Sequence, residues 1–320
     1  MDEEDIFIGG IDVGGTKILS LCVNGRLRII DRDYRETEAE QGPEGVIERM
    51  VASMRAAAGT RPLAAIGVST PGPSDPKRGI VTTPPNLQGW RDVPLAQLIE
   101  ERLGVPAWIE NDANAAAIAE HRLGAGRGAG HIVLVTLGTG IGGGLILDGR
   151  LYRGASGGAG EIGHMQLVPD GPLCGCGRRG CLEALASGRA LAESARRIVE
   201  REPDGVLAQL AREAGSLPDA SVLEQAAAAG DLNAEGVIRE AGRYLGAGLT
   251  NIVDVFNPEV IVIGGSLRKL GDRYLGLAVE IMKHESFPQH AADVRVVEAE
   301  LGDEAPALGA AIIAMKMLKT

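Results

Sequence analysis

The sequence is poor in aromatic residues, in positive charge and in long apolar runs. Aromatic residues make up 3% of its 320 residues, which argues against a stacking platform for single-stranded nucleic acid. The formal net charge is −11, which argues against a broad surface for nucleic acid or anionic lipid. No apolar run approaches the length of a bilayer span, and the acidic start MDEEDIFIGG lacks signal-peptide features. We therefore expect a cytoplasmic protein without a nucleic-acid or membrane partner.

Cysteine is also scarce, and three of the four cysteines lie in CGCGRRGC at 174–181. Cytoplasmic thiols stay reduced, and two cysteines separated by a single residue make a poor disulfide. Three thiolates and one imidazole instead suit a tetrahedral cation, and a histidine lies ten residues before the first cysteine. The sequence thus predicts a closed, structural Zn²⁺ site with the ligands His164, Cys174, Cys176 and Cys181. The fourth cysteine, Cys22, lies in an apolar run and is predicted to be a core residue.

Glycine is abundant, with 46 residues concentrated in a few loops. The chain twice shows the order strand, glycine turn, strand, hairpin turn, strand, first from residue 6 and again from residue 131. Asn24-Gly25 and Asp148-Gly149 align at the same spacing as Gly14 and Gly138. Such hairpins are common, so chance is the alternative, but the shared order favours duplication. We predict an α/β chain with duplicated β-rich units.

The glycine turns are candidate phosphate-binding loops. In DVGGTK at 12–17, backbone N–H groups, a hydroxyl and an amine could approach a phosphate, although a plain hairpin and a solvated Lys17 are the alternatives. The loop GTGIGGG at 138–144 contains a formal GxGxxG. A strand pattern follows it, which excludes the helix that a dinucleotide site requires. We interpret it as a second phosphate loop, with a tightly packed turn as the alternative. A third strand and glycine turn is VIVIGGSL at 260–267.

The rest of the sequence predicts several helices and contains two further groups of acidic residues. Helices are expected over 43–58, from a cap at Asp92 to Leu103, after Asn111, between about 189 and 256, and over the last residues. Asp112 follows a strand and could cap the next helix or take a proton from a hydroxyl. Glu161 and Glu183 flank the cysteine cluster, which suggests a site for a polar ligand.

Together these motifs resemble the ROK family of sugar kinases and repressors, most of all its bacterial glucokinase branch. The resemblance covers nearly the whole chain and rests on DVGGTK, PNLQGW at 85–90, ENDANAAA at 110–117, TLGTGIGGG, GEIGH at 160–164, CGCGRRGCLE and VIGGSL. It implies a two-lobe actin-like (ribonuclease-H-like) ATPase fold with the sugar in the cleft. The lobes would be a small one of 1–112 plus about 302–320 and a large one of 113–301 that carries the zinc loop.

The resemblance also implies ATP-dependent phosphorylation of glucose at its 6-hydroxyl, with Asp112 as the general base and Mg²⁺ bound by Asp12. His164 would contact both zinc and sugar. Residues implied to bind the sugar are Asn86, Asn111, Asp112, Glu161, His164 and Glu183. Residues implied to hold the nucleotide are Asp12, Gly14, Gly15, Thr16, Lys17, Gly138, Thr139, Gly140, Gly264 and Gly265.

Two alternatives stay open at this level. The same polar residues would suit a kinase for fructose, N-acetylmannosamine or N-acetylglucosamine, and polyphosphate could replace ATP. A sugar-responsive regulator of the same family is disfavoured by the acidic charge and by the eleven residues before Asp12, which are too few for a helix-turn-helix domain. By analogy with the family, we expect a homodimer.

Overall fold

The computed structural model describes residues 3–84, 86–215 and 217–319. Its strands are β1 (Phe7–Val13), β2 (Lys17–Asn24), β3 (Ile29–Glu36), β4 (Leu63–Thr70), β5 (Ser74–Asp75), β6 (Ile80–Val81), β7 (Ala107–Asn111), β8 (Ile132–Leu137), β9 (Ile141–Leu147), β10 (Arg150–Leu151), β11 (Val260–Gly264) and β12 (Arg295–Glu298). Its α-helices are α1 (Gly42–Ala58), α2 (Leu95–Leu103), α3 (Asp112–Leu123), α4 (Leu182–Ala186), α5 (Gly188–Arg201), α6 (Val206–Ala214), α7 (Ala220–Ala228), α8 (Leu232–Phe256), α9 (Leu275–Glu285), α10 (Pro288–Asp293) and α11 (Ala305–Leu318). Short 3₁₀ helices lie at Glu3–Asp5, Ala39–Gln41, Ile162–His164, Ser266–Arg273 and Gly302–Glu304.

The chain forms two compact units. Unit 1 consists of Met1–Gly130, Gly144–Gly160 and Ala299–Thr320, and unit 2 consists of His131–Gly143 and Glu161–Glu298. The predicted lobe bounds at residues 112 and 302 stay a prediction.

A mixed five-stranded sheet forms the centre of unit 1, in the order β3-β2-β1-β4-β7. Strands β1, β2 and β3 are antiparallel neighbours, whereas β4 and β7 run parallel to β1. Helix α1 covers one face, where Met50 and Met54 are fully buried. Helix α11 covers the other face closely, because a Cβ on Gly67 would lie 1.9 Å from the Ala310 oxygen. The parallel strands therefore end at one edge of the sheet, where Asp12 pairs with Ser69 and Thr70 with Asn111.

The second sheet has the order β10-β9-β8-β11-β12. Strands β8, β11 and β12 are parallel, and β9 and β10 are antiparallel. Helices α5 to α9 supply most of the remaining core of unit 2, in which Leu245, Leu249 and Tyr274 are fully buried. The order of β8, β9 and β10 along the chain repeats that of β1, β2 and β3, as the duplicated pattern predicted.

Most predicted elements are confirmed, including α1, the two hairpins, α11 and the strands that follow the first two glycine turns, whereas a 3₁₀ helix follows the third. Cys22 is fully buried, as predicted. The predicted cap at Asp92 is wrong, because helix α2 begins only at Leu95 and Asp92 has φ 49°. The reason is Pro94, which disfavours helical backbone at the residue before it. Among the described residues no helix has the length and apolar character needed to cross a membrane.

Candidate functional site

In unit 1, Asp12 lies at the end of β1 and is buried. The hydroxyl of Ser69, on the neighbouring strand β4, donates a 2.7 Å hydrogen bond to Asp12 Oδ1. Burial raises the pKa of the Asp12 carboxyl to about 7; the Ser69 hydrogen bond opposes this increase and the charge of Asp112 adds to it. A buried carboxylate close to a second carboxylate favours a bound cation, which would stabilise its charged form. Asp12 therefore fits the predicted Mg²⁺ role, for which magnesium keeps water in its shell.

The loop after Asp12 is a tight turn held by its neighbours. Gly14 N donates to Lys17 O over 2.9 Å, and the Thr37 hydroxyl donates to Gly14 O over 2.7 Å. The Lys17 ammonium lies 2.6 Å from Asp303 Oδ2, and the side chain of Asp303 is 85% exposed. Lys17 is thus paired with an acid in this structure, and its predicted contact with phosphate requires that exposed pair to open.

Gly15 brings the turn against Asn86. A Cβ added at Gly15 would lie 2.9 Å from both the Cβ and the carbonyl oxygen of Asn86. Only glycine allows this approach, because real Cβ atoms do not come so close. The structure thereby brings a predicted nucleotide residue into contact with a predicted sugar residue.

The junction of β7 and α3 separates the roles of Asn111 and Asp112. Asn111 is the N-cap, and its side-chain oxygen accepts from Asn114 N at 3.1 Å. Asp112 is the first helical residue and exposed, with Oδ1 2.8 Å from Ala113 N. The alternative in which Asp112 caps the helix is therefore wrong: the cap needs extended backbone, which Asn111 has with ψ 144°.

In unit 2, the glycine loop between β8 and β9 is fixed against the start of α5. Gly188 N donates to Gly138 O over 2.9 Å, and Arg189 N donates to Thr139 O over 3.2 Å. Gly265 lies beside the start of the same loop, because a Cβ on it would be 2.2 Å from Leu137 O. The structure therefore brings two of the predicted nucleotide-binding segments together, at the ends of the adjacent strands β8 and β11.

Glu183 connects this loop with the cysteine cluster. Its Oε2 accepts from Ile141 N at 3.0 Å and would lie 2.4 Å from a Cβ on Gly140. Its Oε1 lies 3.8 Å from Cys174 Sγ. One carboxylate oxygen is thus committed to the glycine loop, which limits how Glu183 can meet a sugar hydroxyl.

The four predicted zinc ligands come together. His164 Nδ1 lies 3.6 Å from Cys174 Sγ, the Cys176 and Cys181 sulfurs are 3.7 Å apart, and all four ligand atoms lie within 4.8 Å of one another. A tetrahedral zinc with Zn–S bonds of about 2.3 Å separates its sulfur ligands by about 3.8 Å. The spacing and the chemistry of these donors therefore fit a structural zinc ion, and all four cysteines are free of disulfides.

The thiols of this cluster differ in acidity. Burial raises the pKa of Cys174 to about 12. At Cys176 burial also raises the pKa, but hydrogen bonds from the backbone and guanidinium of Arg178 outweigh it and bring the value to about 6. A bound cation would favour the thiolate form of these cysteines, because metal binding and thiol deprotonation are coupled.

His164 and Glu161 lie on the other side of the cluster. With Nδ1 facing Cys174, the second ring nitrogen, Nε2, lies 3.9 Å from Glu161 Oε2. The ring is thereby oriented with one nitrogen toward the cluster and one toward an exposed acid, the arrangement that contact with both zinc and sugar requires.

Sequence reasoning missed three polar residues of unit 1, namely Ser69, Glu110 and Arg153. Ser69 is the second-last residue of the buried run LAAIGVST, and a polar residue near the end of that strand was a usable signal. Glu110 opens the ENDANAAA motif and is 1% exposed, with both Arg153 Nε and Nη2 on its Oε2. Arg153 follows β10, and no motif in the adjacent sequence indicates a role for it.

Comparison with known proteins identifies the class. The sequence matches the ROK family over residues 8–317, and the chain belongs to that family. The glucokinase of Thermotoga maritima is 36% identical over 304 residues, which cover 95% of this chain and 96% of the relative. A ROK family glucokinase structure from Streptomyces griseus, in complex with glucose and AMPPNP, superposes with a TM-score of 0.82 at 36% identity over 97% and 99% of the two chains. The xylose repressor of Bacillus subtilis is 34% identical, and the match covers 94% of this chain and 74% of the repressor.

Proposed function

We propose that this protein is a glucokinase, which transfers the γ-phosphoryl group of ATP to the 6-hydroxyl of glucose. That the protein is an ATP-dependent sugar kinase with the actin-like α/β fold follows from the family and from the glucokinases that match almost end to end. The observation that carries the mechanism is the junction at β7: Asn111 caps α3, so the Asp112 carboxylate is not needed for the cap.

In this proposal Asp112 accepts the proton of the sugar hydroxyl as the phosphorus–oxygen bond forms. Phosphoryl transfer needs little covalent help from the protein, so alignment and charge neutralisation supply most of the rate. When bound, Mg²⁺ would neutralise phosphate charge near Asp12. The amides of the loops at 14–16 and 138–140 are proposed to hold the phosphates, and Gly264-Gly265 to lie beside the adenosine.

The residues proposed to bind the sugar are polar. In unit 1 these are Asn86 and Asn111; the Asn111 oxygen is occupied by Asn114, which leaves its amide NH₂ as the donor. In unit 2 they are Glu161, His164 and Glu183. A pocket of paired polar groups rejects a sugar that lacks the matching hydroxyl, because the unpaired group loses its hydrogen bond.

The test is a panel of hexoses and N-acylhexosamines, each with ATP and with polyphosphate, scored by kcat/KM. Glucose with ATP should rank first. If an N-acylated sugar ranks above glucose, the proposed substrate is wrong but the protein is still a sugar kinase. If polyphosphate ranks above ATP, the proposed phosphate donor is wrong.

The 34% identity with a xylose repressor supports a second candidate, a sugar-responsive regulator. It predicts sugar binding in calorimetry without turnover for any sugar in the panel. The glucokinase proposal predicts both binding and turnover, so one calorimetric titration beside the panel separates them. The expected homodimer and cytoplasmic location stay predictions, the first of which light scattering would test.

A further inference from the structure

Glu110 is a buried acid next to the Asn111-Asp112 junction, and it accepts hydrogen bonds from three residues. Its Oε2 lies 2.7 Å from Arg153 Nε and 2.6 Å from Arg153 Nη2. Its Oε1 accepts from Asn111 N at 3.1 Å and from Asn114 Nδ2 at 3.0 Å. The carboxylate is 1% exposed, and such a group is retained when its hydrogen bonds and its charge are matched.

The two oxygens of Glu110 therefore have separate partners. One is held by the planar guanidinium fork of Arg153, and this fixes the plane of the carboxylate. The other is thereby directed at Asn111 N and Asn114 Nδ2, the residues that flank Asp112 and Ala113. Asn114 is 2% exposed, and its backbone nitrogen also completes the cap with Asn111.

Arg153 reaches this junction from a distant part of the chain. It lies two residues after β10, at the start of a glycine-rich segment that continues to Gly160, and Ala159 N donates to its carbonyl oxygen at 3.1 Å. The guanidinium is 39% exposed, so the ion pair has one buried and one partly exposed end.

We infer that the Glu110–Arg153 ion pair holds the Asn111-Asp112 junction in its catalytic geometry, with Arg153 as a positioning residue. This inference rests on the proposed function, in which Asp112 is the base. A displacement of about 1 Å at a reacting group can reduce a rate by about 100-fold, so a pair that orients the junction controls turnover without touching substrate.

The test uses two variants that do not leave a buried charge alone. Arg153→Lys keeps the positive charge but loses the two-nitrogen fork. The double variant Glu110→Gln/Arg153→Met removes both charges. The Gln oxygen can still accept from Asn111 N and Asn114 Nδ2, but the guanidinium fork that fixed the plane of the group is lost. Arg150→Met is the matched control, because Arg150 is an exposed arginine on the adjacent strand β10.

We expect both variants to fold, to lower kcat by about 10- to 100-fold and to raise the KM for sugar, while the KM for ATP stays within about twofold. A merely structural pair would lower Tm and leave kcat unchanged well below that Tm. Either folded variant with a kcat within twofold of Arg150→Met overturns the inference.

A crystal structure of the unmodified protein with bound sugar tests the same inference independently of variant folding. It should retain both nitrogens of Arg153 within 3.2 Å of Glu110 Oε2, and a separation beyond 4 Å would overturn the inference. An unmodified protein without turnover on any sugar would instead defeat the proposed function.

Discussion

The Asn111 side-chain oxygen lies 3.1 Å from the Asn114 backbone nitrogen and caps helix α3. Two adjacent polar residues thereby divide two tasks, since Asn111 stabilises the helix and Asp112, the first helical residue, presents a carboxylate at the edge of the sheet. The loss of the cap and the loss of the proposed base can therefore be measured in two different variants.

Replacing Asp112 with Asn should leave the fold intact and lower kcat on the order of 10²- to 10⁴-fold, the usual contribution of a general base. Replacing Asn111 with Ala should cost about 1 kcal/mol of unfolding free energy, because the cap is lost, and should raise the KM for sugar, because its amide NH₂ is proposed to bind the sugar. Urea unfolding and steady-state kinetics of both variants check the division. Near-normal turnover of Asp112→Asn would remove Asp112 as the base.

Removing a ligand of the cysteine cluster should release zinc. The unmodified protein should contain about one zinc per chain, and Cys176→Ser should contain close to none and unfold at a lower temperature, because metal binding and folding are coupled. Elemental analysis and calorimetry measure both effects. Cys22→Ala is the matched control, since it changes a buried cysteine outside the cluster and should retain the metal.

The glycine loop offers a matched pair of substitutions. A Cβ at Gly140 would lie 2.4 Å from Glu183 Oε2, whereas a Cβ at Gly138 would meet nothing within 4 Å. Gly140→Ala should therefore displace Glu183 from Ile141 N, lower stability by about 1 kcal/mol and weaken sugar binding, and Gly138→Ala should change neither. Calorimetric sugar titration without nucleotide keeps phosphate contacts out of the comparison. Equal behaviour of the two variants would contradict the role of Glu183.

The raised pKa of Asp12 predicts that the free energy of unfolding depends on pH in magnesium-free buffer. Its pKa is raised to about 7 in the folded state from 3.8 in the unfolded chain, so between these values only the folded state keeps the proton. This contribution to stability is complete below pH 4 and is lost as pH rises toward 7. Asp12→Asn should gain about 2–3 kcal/mol relative to the unmodified protein between pH 5 and pH 8.

Denaturant unfolding of both proteins at pH 5, 6, 7 and 8 measures that difference. Asp92→Asn, at an exposed acid, is the control and should show no such trend. A constant difference across this range would mean that Asp12 ionises normally.

Short-range features of this protein were predictable from the sequence alone. The hairpins at Asn24 and Asp148, the strands beside each glycine turn and the cluster formed by His164 and Cys174 depend on residues within about twenty positions of one another. Local backbone preference and the chemistry of the ligands act over that distance, so the pattern of residue types was sufficient. The motifs also determined the family.

Long-range pairs and single-residue backbone choices were decided only by the tertiary structure. Ser69 bonds Asp12 across 57 positions and Arg153 bonds Glu110 across 43, and neither pair has a spacing that a pattern could reveal. The choice of Asn111 over Asp112 as the cap depends on where β7 ends, and that is set by its pairing with β4. Sheet register and packing, rather than local propensity, therefore placed the residues on which the proposed chemistry depends.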